Sequence, residues 1–157
     1  MTAPNPPIQA DPDEYLGLPG WIYSSPRFFA EETAKVLAPA WQVVCHQNDI
    51  PRPGDYHTFD FIGESVIVVR GQDGRPRAFN NVCLHRAARM LDGPTGRCGR
   101  IVCPYHAWTY DTEGQLIGVP LRETYPDLRI ETRKLPPVDL EVFRGFIFVR
   151  IEGGGPA

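Results

Sequence analysis

The chain has 157 residues, about one domain's worth, with 42% hydrophobic and 22% charged residues, enough to bury a core without disulfide staples. Glycine (15 residues) and proline (17 residues) make up about a fifth of it, which points to a turn-rich, mostly β chain and away from bundles and disorder. A net charge of −3 leaves no basic footprint for nucleic acid or an anionic membrane.

Residues 1–24 open with proline and acidic residues and read as an N-terminal arm. No basic region leads into an apolar core there, so no signal peptide is expected. The longest apolar runs, 65–69 and 146–149, fall far short of the ~20 residues of a membrane span. Four cysteines (45, 83, 98 and 103) without a secretory signal read as thiols or ligands rather than a disulfide framework. A cytoplasmic protein is expected.

Ser25-Pro26 reads as an N-cap followed by proline at the first helical position. A helix over 27–37 is expected behind it, supported by the Glu31/Lys35 pair and ended by Pro39. Short strands follow. They are expected at 41–46, 56–61, 65–70, 77–79, 100–103, 108–110, 115–118, 138–143 and 146–151. Asn48–Asp55, Gln72–Arg75 and Asp111–Gly114 read as turns, and 80–99 as irregular. The end, residues 152–157, is linker-like.

The informative feature is Cys83-Leu84-His85, then 17 residues, then Cys103-Pro104-Tyr105-His106. Each short loop offers one thiolate and one imidazole, and each follows a strand-like segment, so the two can converge on one site. Structural zinc sites usually pair like residues, whereas a two-iron cluster gives a reason for mixing. Two thiolates hold one iron and two neutral imidazoles the other, which raises the reduction potential above that of an all-cysteine cluster. The spacing reads as a Rieske-type [2Fe–2S] centre. A zinc-binding interaction module is the alternative from a different class, colourless where the cluster protein is red-brown. Cys45, Cys98, His46 and His57 read as ordinary core or surface residues.

The stretches Trp41–His46, Ile50–Asp55, Val66–Arg70, Ala78–Cys83 and Cys103–Tyr110 make residues 25–151 resemble a known family. It is the N-terminal domain of the α subunit of Rieske non-haem iron (ring-hydroxylating) oxygenases. The resemblance implies an all-β fold of three small antiparallel sheets, with the cluster-binding subdomain inserted in the larger one. It implies Cys83 and Cys103 as ligands of the buried iron, and His85 and His106 as ligands of the iron nearer the surface. It also implies one-electron transfer. Electrons arrive from a ferredoxin or flavin reductase and leave to the catalytic domain of the oxygenase or of a neighbouring α subunit. Ala87 departs from the glycine usual after His-Arg, which bears on a tight backbone approach.

Rieske proteins of respiratory complexes carry an extra cysteine in each loop and a hydroxyl donor near the cluster. Ala88, Tyr105 and Trp108 stand at the corresponding positions here. Fewer dipoles then stabilise the reduced cluster, which places the centre at the low end of the Rieske range. A standalone Rieske ferredoxin is the competing redox reading; the helix and Trp41 entry favour the oxygenase branch. Oxygen activation needs a 2-His-1-carboxylate triad. With four histidines in the chain, two of them assigned to the cluster, no catalytic residue is expected here. Arg86, Arg89, Arg97 and Arg100 are candidates for steering an acidic partner.

Overall fold

The computed structural model describes residues 17–151. Most of the expected arm, residues 1–16, and the linker-like 152–157 lie outside the described residues. Residues Gly20–Tyr23 form one 3₁₀ turn. Helix α1 spans Pro26–Glu32, with the Phe28 N–H donating to the Ser25 hydroxyl at 3.2 Å. The expected single helix then changes character, continuing as a π-type turn over Thr33–Leu37.

Ten strands follow: β1 Gln42–His46, β2 Asp55–Phe61, β3 Glu64–Arg70, β4 Pro76–Asn80, β5 Thr95–Arg97, β6 Ile101–Val102, β7 Thr109–Tyr110, β8 Leu116–Gly118, β9 Pro137–Phe143 and β10 Phe146–Arg150. The region read as irregular, 80–99, contains β5. Its sequence Thr-Gly-Arg is fully exposed, so no apolar alternation announced it. Every pairing is antiparallel. Among the described residues the strands form two sheets rather than the expected three. One has seven strands in the order β1-β10-β9-β4-β3-β2-β5, and the other has three, β6-β7-β8. The seven-stranded sheet is held together at its middle by a short seam between β4 and β9, where Ala78 faces Val138 and Phe79 faces Pro137.

Strand β3 shows why the molecule organises around two cores. Its run Val66–Val69 is fully buried on both faces, as a continuous apolar strand requires. Val66 and Val68 pack with Ile50, Val138, Ile147 and Val149 inside the curled sheet. Ile67 and Val69 point the other way, into a core shared with Cys83, Cys103, Trp108 and Tyr110. Period-2 alternation thus makes one strand the wall between the sheet and the subdomain inserted after β4. Between β9 and β10 the chain reverses through Arg144 (φ 48°) and Gly145 (φ 87°), the two positive φ values of a tight hairpin turn. A Cβ on Gly145 would lie 2.2 Å from His46 Nε2, so only glycine fits there.

Candidate metal centre

Two loops with the same backbone face each other in the inserted subdomain. In the first, the Cys83 N–H donates to the Ala88 carbonyl at 2.9 Å, and the Ala87 N–H to the Cys83 carbonyl at 3.0 Å. In the second, Cys103 donates to the Trp108 carbonyl at 2.9 Å, and Ala107 to the Cys103 carbonyl at 2.9 Å. The fifth residue of each loop, Ala87 and Ala107, turns left-handed with φ 54°. Alanine at that position costs roughly 1 kcal/mol relative to a right-handed conformation. The Ala87 departure noted in the sequence therefore leaves the tight turn intact, at the expense of local strain.

The loops put both cysteines at the base and both histidines above them. Cys83 and Cys103 are each 2% exposed. The His85 and His106 rings meet edge to face, with centroids 4.8 Å apart. His85 is also stacked on Trp108 at 4.9 Å and 6°, so Trp108 fixes the plane of that ring. Tyr105 packs on His106 at 3.9 Å, and the His106 ring is exposed.

The electrostatics of this cavity suit a positively charged group held by thiolates and neutral imidazoles. Burial pushes the Cys83 thiol up, and the neighbouring Cys103 pushes the same way. A thiolate here needs positive charge from whatever it binds. Burial lowers the His85 pKa, with His106 and Arg86 adding to it, which favours the neutral, ligating imidazole. His85 Nδ1 is buried and has no hydrogen-bond partner among the described residues, a polar atom that a metal would satisfy. The residues present fit a two-iron cluster.

Three neighbours escaped sequence reasoning. Tyr110, fully buried, accepts a hydrogen bond from the Leu84 N–H at 3.1 Å. Its own hydroxyl hydrogen is left for Cys83 Sγ, 3.5 Å away. Burial and that contact push the Tyr110 pKa up. The loop pair thus lacks a serine donor yet keeps one hydroxyl donor on sulfur. Asn81, also fully buried, donates to Ser65 Oγ at 3.2 Å and to the Leu91 carbonyl at 2.7 Å. Its carbonyl accepts from Met90 and Leu91 at 3.2 and 3.0 Å. Tyr125 lies with its hydroxyl 3.3 Å from His85 Nε2. Asn81 and Tyr110 stand close in sequence to the cysteines and were within reach of a motif reading. Tyr125 is 40 residues from His85, and no local pattern marks it.

The other singled-out residues lie elsewhere. Cys45 is in the sheet core, where burial and Asp49 raise its pKa to about 11. Cys98 is half-buried, and burial raises its pKa too. His46 Nδ1 accepts from the Asn48 N–H at 3.2 Å as the cap of the Gln47–Asp49 turn. His57 Nδ1 contacts the Thr58 carbonyl at 2.9 Å. Of the four arginines, Arg89 is tied to Asp60 and Asp92, and Arg97 to Asp55. Arg86 and Arg100 are exposed.

Comparison with known proteins agrees with this geometry. Residues 40–136 match the Rieske [2Fe-2S] domain family. The carnitine monooxygenase oxygenase subunit of Escherichia coli K12 is 36% identical over 143 residues, covering 91% of this chain and 38% of that protein. The glycine betaine monooxygenase oxygenase subunit of Chromohalobacter salexigens is 37% identical over 142 residues, covering 89% of this chain and 31% of that protein. Among solved structures, a quaternary ammonium Rieske monooxygenase in complex with L-carnitine superposes with a TM-score of 0.80 at 33% identity, covering 87% of this chain and 39% of that one. A naphthalene 1,2-dioxygenase with indole in its active site gives 0.81 at 34% identity, covering 87% and 31%. The chain thus spans less than two fifths of the length of these relatives. No helix among the described residues is long and apolar enough to cross a membrane. With the loop pair and the family match in agreement, the chain belongs to the Rieske [2Fe–2S] domain family, in the form found in oxygenase α subunits.

Proposed function

We propose that Cys83 and Cys103 hold one iron of the Rieske cluster and that His85 and His106 hold the other. The observation that carries this is the pair of loops with one backbone, closed by equivalent hydrogen bonds and left-handed alanines, meeting cysteine to cysteine and histidine to histidine. When bound, the cluster supplies a one-electron redox couple. The chain's own residues define its surroundings. Buried Cys83 and Cys103 sit where water is excluded, and Tyr110 offers a hydroxyl hydrogen to Cys83 Sγ. Trp108 holds the His85 ring, while His106 faces the exterior.

The domain 25–151 is, on this reading, the electron-entry domain of an oxygenase, flanked by the arm 1–24 and the segment 152–157. A ferredoxin or flavin reductase is the donor, and an oxygenase catalytic domain, its own or a neighbouring subunit's, is the acceptor. Support for the acceptor comes from a relative: a related quaternary ammonium monooxygenase structure is described in terms of inter-subunit electron transfer. The missing disulfide and serine, set against the Tyr110 donor, support a midpoint toward the lower end of the roughly −150 to +300 mV Rieske window. Iron and acid-labile sulfide analysis with anaerobic reductive titration tests the function. Two irons, two sulfides and one electron per chain are expected, with a midpoint below zero. A colourless zinc protein, or a midpoint well above zero, overturns it.

A further inference from the structure

Tyr125 belongs to neither loop, yet the chain around it is built to aim it. Leu121 turns left-handed with φ 52° and starts a single 3₁₀ turn, Arg122–Thr124. The Arg122 guanidinium donates to the carbonyls of Tyr125 and Leu128, and the Thr124 hydroxyl donates to the Leu121 carbonyl at 2.8 Å. Around it, Leu121, Glu123, Thr124, Pro126 and Asp127 are exposed, whereas Tyr125 turns inward. Its ring meets Trp108 edge-on at 5.8 Å and His85 edge-on at 5.9 Å. Its hydroxyl ends 3.3 Å from His85 Nε2. His106 has no such partner among the described residues; its exposed ring packs against Tyr105.

We infer that Tyr125 is a positioning residue that holds the distal nitrogen of His85 and, through that ring, favours the oxidised state of the centre. The inference rests on the ligand assignment proposed above. With the buried, partnerless Nδ1 as the ligating nitrogen, Nε2 carries the ring proton and donates to the Tyr125 hydroxyl oxygen. An acceptor on the far nitrogen makes an imidazole a stronger donor to its metal. A more electron-rich ligand stabilises the more positive, oxidised centre. Because only His85 has this partner, the two histidines are unequal before any other protein docks.

The test is Tyr125→Phe, which keeps the ring packed on Trp108 and removes only the hydroxyl. Measured at mildly acidic pH, its midpoint should move positive. The equilibrium should shift about threefold toward reduction, a fraction of one neutral hydrogen bond; at 59 mV per tenfold for one electron that is roughly 28 mV. In nitrogen-15 ENDOR of the reduced protein, one histidine coupling should change and the other stay. Arg122→Gln, which frees the Tyr125 segment while keeping the hydroxyl, should shift the midpoint the same way by less. An unmoved or more negative midpoint in Tyr125→Phe, or equal changes in both histidines, overturns the inference. Cys103→Ser separates the two claims, because iron retained in that variant defeats the ligand assignment itself, whatever Tyr125 does.

Discussion

The first loop, Cys83–Ala88, and the second, Cys103–Trp108, share their hydrogen bonds and their left-handed fifth residue, but differ in where histidine stands. It is third in the first loop and fourth in the second. One register step sends His85 inward against Trp108 and Tyr125 and leaves His106 on the surface. The supports differ in the same sense. The first loop is pinned by Asn81, Tyr110 and the Arg89–Asp60 pair. The second leans on its own short sheet, β6-β7-β8. The backbone supplies a repeated cradle, and side chains divide the pair into a held histidine and a presented one.

The largest effect comes from removing what both loops share. Cys83→Ser and Cys103→Ser should each abolish the cluster, because a hydroxyl is a poor replacement for a soft thiolate ligand. Cys45→Ser and Cys98→Ser should retain it, as read by the visible spectrum and by iron and sulfide content. Asn81→Ala separates the loops. It removes four hydrogen bonds from the base of the first loop and strands buried backbone groups of Met90 and Leu91, for a cost of about 3 kcal/mol. Denaturant unfolding of the cluster-loaded protein measures it. A loss below about 1 kcal/mol would mean that the first loop is held some other way.

Ala87→Gly and Ala107→Gly probe the shared turn. Each relieves a left-handed alanine and should stabilise the protein by about 0.5 kcal/mol, after the added unfolded-state entropy of glycine is counted. Equal gains in the two variants would sharpen the equivalence of the loops; opposite signs would break it. The smallest effect belongs to Asp60. The hydrogen bond from Arg89, seconded by one from Ser65, holds its carboxyl below the usual range. A folded-state pKa below the unfolded one gives stability that is present above the ordinary carboxylate pKa and lost as pH falls through the lowered value. Asp60→Asn should flatten that acid limb of an unfolding curve and leave the neutral limb nearly unchanged, since the pair is mostly exposed.

The four loop residues were legible in sequence because a mixed Cys/His pair, repeated at short range, has few structural explanations. Strand β3 was legible because its apolar run has one reading in a β protein. What stayed hidden depends on distance or on exposure. Tyr125 reaches His85 only through tertiary folding, and Asn81 looks like a turn residue until its four side-chain hydrogen bonds are in place. Strand β5 is polar and exposed, held to β2 by backbone alone. The seam between β4 and β9 is two residue pairs long. It holds the seven-stranded sheet together at its middle, and no periodicity encodes so short a contact.

The central claim is that the loops share one cluster with unlike irons, thiolates on one side and imidazoles on the other. Mössbauer spectroscopy of the oxidised, iron-loaded protein reads this directly. Two quadrupole doublets of equal area are expected, with the isomer shift of the imidazole-bound iron above that of the thiolate-bound iron. A single doublet, from two irons in equivalent surroundings, would contradict it.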